Sequence, residues 1–137
     1  MAFTWESNVA AVSHEPYKSA LLALYENNRG VAADGFKIKI IHNEDNPRDP
    51  NALEVYVKGQ NDAVYHFVGF VPRSENQNVL QANLANLTPY FIKFNSHGSK
   101  IVGLRIGVRE GVFVEPKVKN TEWLEERLTQ TKRRIMV

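Results

Sequence analysis

No cysteine occurs anywhere in the 137 residues, which removes disulfide frameworks, thiolate nucleophiles and cysteine-ligated zinc from consideration. No apolar run comes near the roughly 20 residues needed to cross a bilayer. The opening Met1-Ala2-Phe3-Thr4-Trp5-Glu6 has neither the basic region nor the apolar stretch of a secretory signal. No repeat, low-complexity tract or Pro/Gly/Ser-rich linker divides the chain. These absences lead to the expectation of a soluble intracellular, cytoplasmic protein with no membrane partner.

What is present is ordinary for a globular domain, with 43% hydrophobic and 23% charged residues. The length suits one core. The formal charge of +2 is unevenly spread. Residues 1–62 carry 6 Lys/Arg against 9 Asp/Glu, and residues 63–137 carry 11 against 6. A basic second half suits an anionic partner without requiring one.

The hydrophobic pattern predicts short strands with a few helices. Thr4–Val12 reads as an opening strand. Pro16 begins a helix whose buried stripe is Tyr17, Leu21 and Leu24, and Asn27-Asn28-Arg29-Gly30 stops it. Phe36, Ile38 and Ile40 alternate with Lys37 and Lys39 as in a half-buried strand. The polar, proline-punctuated stretch His42–Asn51 reads as a loop. Leu53, Val55 and Val57 form the next strand, Lys58–Asp62 a hairpin turn and Ala63–Val71 the return strand.

Ser74-Glu75-Asn76-Gln77 has capping-box spacing before a helix marked by Leu80, Leu84 and Leu87 and ended by Pro89. Tyr90–Phe94 and Val102–Val108 follow as strands around a turn at Ser96–Ser99. On the second of these, Gly103, Arg105, Gly107 and Arg109 leave room for a ligand backbone or another strand. Glu122, Glu125 and Glu126 early and Lys132, Arg133 and Arg134 late suit the dipole of a C-terminal helix. The division is a β-rich domain over residues 1–116 and a helix over 117–137 that packs on it, on a partner or on a second copy. The fold class is α+β, mainly β with short helices curled into a small barrel, because strands mostly follow strands.

Catalytic patterns are missing. His14, His42, His66 and His97 are scattered without ligand spacing, and no serine sits in a nucleophile elbow. His42, Asp45 and Asp49 are the nearest approach to a hard-metal set, in a loop that collects such residues by composition. Neither metal nor cofactor is expected, nor enzymatic activity.

The informative stretch is Asn46-Pro47-Arg48-Asp49-Pro50-Asn51-Ala52, entering the strand at Leu53. One hairpin later comes Val68-Gly69-Phe70-Val71-Pro72-Arg73. Together these resemble the HIRAN domain, with its N-P-x-D-x-N-A loop followed by a V-G-aromatic-aliphatic-P-basic strand end, and in particular its free-standing bacterial or phage members. The likeness covers residues 36–109 and more weakly Val9–Tyr17.

The resemblance implies an OB-like β-barrel that binds single-stranded DNA at its 3′ end, in DNA repair or replication-fork processing. In the DNA-binding members the loop aspartate accepts a hydrogen bond from the terminal 3′-hydroxyl, aromatic rings stack on bases and basic residues meet phosphates. Carried over, the aspartate is Asp49, flanked by Asn46, and the basic position is Arg73. Phe70 is the motif aromatic and Tyr17 the remaining stacking platform. The position before the aspartate is a stacking tyrosine in those members and Arg48 here. A guanidinium can stack on a base or pair with phosphate. At the end of the first strand, where they carry an arginine and tyrosines, this chain has Glu15, Pro16 and Tyr17.

Each residue also has a plainer reading. Asp49 suits a turn, because Asx side chains bond nearby amides. Arg48 and Arg73 suit a solvated surface. Lys37, Lys39, Arg105 and Arg109 form either one phosphate track or the wet face of a sheet. Tyr90, Phe91 and Phe94 suit the core. The rival function is a protein-interaction module on the same barrel.

Overall fold

The computed structural model of the chain describes residues 4–82 and 86–110. Its strands are β1 (Thr4–Asn8), β2 (Phe36–His42), β3 (Leu53–Gly59), β4 (His66–Phe70), β5 (Leu87–His97) and β6 (Lys100–Glu110). Among the described residues, two α-helices, α1 (Tyr17–Asn27) and α2 (Asn76–Gln81), and one short 3-10 helix (Ala33–Gly35) lie between them. The strands form two three-stranded antiparallel sheets, ordered β1-β6-β5 and β2-β3-β4.

The alternation in the sequence sets which faces meet. Phe36, Ile38, Leu53, Val55, Val57 and Val68 from one sheet pack against Phe91, Leu104, Ile106 and Val108 from the other. Leu21 and Leu24 of α1 and Val79 of α2 complete this core. At one edge the sheets are joined by the pair Ala10–Phe70, with hydrogen bonds of 2.7 and 3.0 Å in both directions. Gly69 makes that crossing possible. Its φ is +146°, and a Cβ there would fall 2.2 Å from the Ala10 carbonyl oxygen. The motif glycine is therefore explained by a close backbone approach. On the other side, Phe36 stacks on Phe91 with ring centroids 4.2 Å apart and meets Phe94 edge-on at 5.6 Å.

Several elements depart from expectation. Opening strand β1 stops at Asn8; the Val9 N–H still donates to the Leu104 carbonyl at 3.0 Å and Ala10 pairs with Phe70 before the chain turns. Lys58 and Gly59 belong to β3, and the return strand starts at His66, because Asp62 draws the turn back onto the Gly59 N–H. No side chain caps α2: the chain turns on the Pro72 carbonyl, which accepts from the Glu75 and Asn76 N–H groups, and the helix begins at Asn76. Leu87 and Pro89 both lie in strand β5. Pro89 is tolerated because β5 is a sheet edge, where a missing donor breaks no interior ladder.

The β5–β6 hairpin turns through Gly98-Ser99, with Gly98 at φ +62° in the first central position, where a type II′ turn requires glycine. Val102 is exposed, as the ladder shifts register near Asn95 and Ser96. The C-terminal helix expected over 117–137 and the helical position of Leu84 lie outside the described residues. Among the described residues, no helix is long and apolar enough to cross a membrane.

Candidate functional site

The loop between β2 and β3 is organised by its own side chains. Asn43 takes the Asp45 N–H on its Oδ1 at 3.2 Å and donates to Glu54 at 3.0 Å. Asn46 Oδ1 accepts from the backbone N–H of Arg48 at 2.9 Å and of Asp49 at 3.1 Å. Asp49 Oδ1 accepts from the Asn51 N–H at 2.9 Å. Successive Asx turns of this kind fix a loop without regular secondary structure. The turn reading of Asp49 agrees with its bond to Asn51, and Asn46 plays the same part in the loop.

Asp49 also reaches beyond its loop. Its Oδ2 accepts from Asn76 Nδ2 at 2.8 Å and lies 3.8 Å from Arg73 Nε. The two sequence motifs, separated by a whole hairpin, therefore meet at one carboxylate. An ionised carboxylate offers about four acceptor positions, and these contacts leave one on Oδ1 for another donor. The Asp49 side chain is 18% exposed and that of Arg73 81% exposed, so a ligand can approach both. Arg48 is exposed beside them.

An aromatic strip adjoins this corner. Tyr17 meets Phe70 edge-on at 5.4 Å and Phe67 at 5.0 Å. Phe67 in turn stacks on Tyr56 at 4.7 Å and meets Phe70 at 5.4 Å. Tyr17, Phe67 and Phe70 are half-buried and Tyr56 is buried. Phe70 is the last residue of β4, three positions before Arg73, so strip and carboxylate share one end of the sheet. Opposite Phe70 in the ladder, Glu54 is buried and accepts from the Tyr56 hydroxyl at 2.8 Å.

Glu15 has a structural task. Its carboxylate accepts from the Ser19 hydroxyl and, at 2.8 Å, the Ser19 N–H, and these bonds hold its pKa below the usual carboxylate value. The charge is directed at the first turn of α1.

Other expected groupings separate. Lys37 and Lys39 lie on β2 and Arg105 and Arg109 on β6, in different sheets, so the four do not make one track. Arg105 Nε lies 3.6 Å from Glu6, and the Arg109 guanidinium sits over the Tyr90 ring at 5.7 Å. Tyr90 is not a core residue. It lies across Gly107, where a Cβ would fall 2.4 Å from its ring, and so fills the space that glycine left open. Phe91 and Phe94 do pack in the core. Among the described residues, no three His, Asp or Glu side chains gather where a metal ion could be held. His42 instead pairs its Nε2 with the Pro50 carbonyl at 2.7 Å.

Sequence reasoning missed Asn76 and Phe67. Asn76 was hidden inside the capping-box pattern, and Phe67 lay in a strand whose outward face is recognisable only from its alternation with Val68. The assembled corner can accept a hydrogen bond from a hydroxyl, disfavour an anion at the carboxylate, attract one at the arginines and offer ring edges to a planar group.

Compared with known proteins, the chain matches no family model, no curated protein and no solved structure.

Proposed function

We propose that this domain is a non-catalytic, HIRAN-type DNA-binding module that takes a single strand by its 3′-hydroxyl end, in repair or fork processing. The proposal includes closure of the two sheets into an OB-like barrel, through Ala10–Phe70 on one side and Phe36–Phe91 on the other. The observation that carries the reading is the meeting of Asp49, from the N-P-x-D-x-N-A loop, with Arg73, from the V-G-F-V-P-R strand end. In this reading Asp49 accepts from the terminal hydroxyl, Arg73 and Arg48 meet phosphates, and the terminal base lies against Tyr17 and Phe70. Asn46 holds the loop. The bond from Ser19 to Glu15 supports it too, since that carboxylate is engaged with the helix start and does not face a phosphate unpartnered.

The test is fluorescence anisotropy with labelled single strands ending in 3′-hydroxyl or 3′-phosphate, with duplex as control. A carboxylate near a phosphate repels it by about 4 kcal/mol at 4 Å and an effective dielectric constant of 20, so the hydroxyl end should bind at least about tenfold tighter. Asp49→Ala should remove that preference. Equal binding of both ends by the unaltered protein would overturn the reading, and no binding to any strand would favour the protein-interaction alternative.

A further inference from the structure

Lys37 on β2 and Lys58 on β3 stand directly opposite each other in the ladder, so both side chains leave the same face of the sheet. Like charges in this position destabilise a strand pair. Neither lysine has a carboxylate partner among the described residues, and Lys58 lies only over the Tyr65 ring, at 5.9 Å. On the next rung of that face Lys39 faces Tyr56, which faces Phe67. The rung after it holds Ile41, Glu54 and Phe70, next to the Asp49 corner. One outward face thus runs from the carboxylate, across the aromatic strip, to a pair of ammonium groups with no carboxylate partner among the described residues. Along β3, the Glu54 rung next to the Asp49 corner and the Lys58 rung are four residues apart, about 13 Å.

Resting on the reading of Asp49 as the 3′-end acceptor, we propose that Lys37 and Lys58 hold backbone phosphates of the same strand upstream of that end. The Phe67–Tyr17 edge then supports the intervening base. An anion between the two ammonium groups removes their repulsion, and rings alternating with cations match a strand of bases and phosphates better than an acidic peptide. The geometry also sets a polarity, with the 3′ end at Asp49 and the 5′ direction toward the β3–β4 turn.

The experiment compares a dinucleotide with an octanucleotide, both 3′-hydroxyl, on the unaltered protein and on the Lys37→Ala/Lys58→Ala double variant. The unaltered protein should bind the octanucleotide about tenfold more tightly than the dinucleotide, and the double variant should bind both alike. The variant should keep its preference for hydroxyl over phosphate ends, melt no lower than its parent, and lose about 1.4 from the logarithmic salt slope for the octanucleotide, the value for two phosphates of a single strand. If the variant keeps the full gain with length while the hydroxyl preference stands, the lysine track is wrong and the end site survives. If neither protein prefers the hydroxyl end, the end site fails and the track fails with it.

Discussion

Asp62, at the turn leaving β3, receives four hydrogen bonds, from Asn27 at 2.9 Å, Asn28 at 2.7 Å, the Gly59 N–H at 2.8 Å and His66 at 3.0 Å. Asp49, in the loop entering the same strand, receives two, with Arg73 at 3.8 Å as a looser neighbour. The Asp62 side chain is 1% exposed against 18% for Asp49. Both are bonded by asparagine side chains, and both hold their turns in shape. The difference lies in what is left over. Asp62 is saturated and sealed, so its chemistry is confined to joining α1 to the hairpin. Asp49 keeps an acceptor position and an opening to solvent beside exposed arginines and ring edges. Spare hydrogen-bonding capacity, rather than the presence of a carboxylate, separates a candidate site from a structural joint.

Replacement of each aspartate by alanine breaks this contrast most directly. Asp62→Ala leaves the Gly59 N–H without an acceptor, together with one hydrogen of the buried Asn28 amide, whose other hydrogen goes to the Leu24 carbonyl, at about 1–3 kcal/mol for each orphaned donor. A loss of about 3–5 kcal/mol in urea unfolding is expected, with no change in the choice between strand ends where the variant still folds. Asp49→Ala orphans chiefly the Asn76 amide, so about 1–2 kcal/mol is expected, together with loss of end choice. If the two variants were equally destabilised and equally altered in binding, the contrast would collapse.

Acid should reveal the same asymmetry at a smaller magnitude. Burial pushes the Asp62 carboxyl up, but hydrogen bonds from His66, Asn27, the Gly59 N–H and Asn28 outweigh it and hold the pKa at about 2. The folded value is below the unfolded one, so the stability this group contributes is complete above about pH 5. It is lost as pH falls from the ordinary aspartate value near 4 toward 2, and amounts to ~2 kcal/mol. Thermal unfolding followed from pH 6 to pH 2 should show this loss, and Asp62→Asn should lack it. An unchanged acid dependence in Asp62→Asn would assign the transition to other carboxylates.

The sequence disclosed the two ends of β3 unequally, for a physical reason. Local patterns are written in neighbouring residues, so the alternation of β2 and the Asn46–Asn51 loop could be read directly. The linked motifs pointed to Asp49 and Arg73, which do meet. The Asp62 joint depends on residues about 35 positions apart in the chain, and no local pattern connects Asn27 and Asn28 with a turn beyond β3. In β3, Glu54 and Tyr56 alternate with Leu53, Val55 and Val57, a pattern that by itself suits a half-exposed strand. Both are buried, since Asn43 bonds the Glu54 carboxylate and Phe67 covers the tyrosine ring. The apparent capping box failed because the Pro72 carbonyl sets the turn first, which directs the Asn76 side chain to Asp49.

The smallest expected effect sharpens the comparison from the backbone. Immediately after the Ala10–Phe70 crossing, on the Asp49 side of the sheet, Ala11 adopts φ +69°, the only described residue other than glycine with a positive φ. An L-residue in this region costs about 1–2 kcal/mol, and strain of this kind gathers where surrounding structure holds a site in place. Ala11→Gly relieves the strain but gives the unfolded chain more freedom, which offsets about 0.4–1 kcal/mol. The net gain should be at most about 1 kcal/mol, read as a small rise in the urea midpoint with an unchanged slope. Alanine to glycine elsewhere in a folded segment lowers stability, so even an unchanged midpoint would support the strained conformation. A loss of the ordinary size would show that Ala11 is unstrained and that the two ends of β3 differ only in their carboxylates.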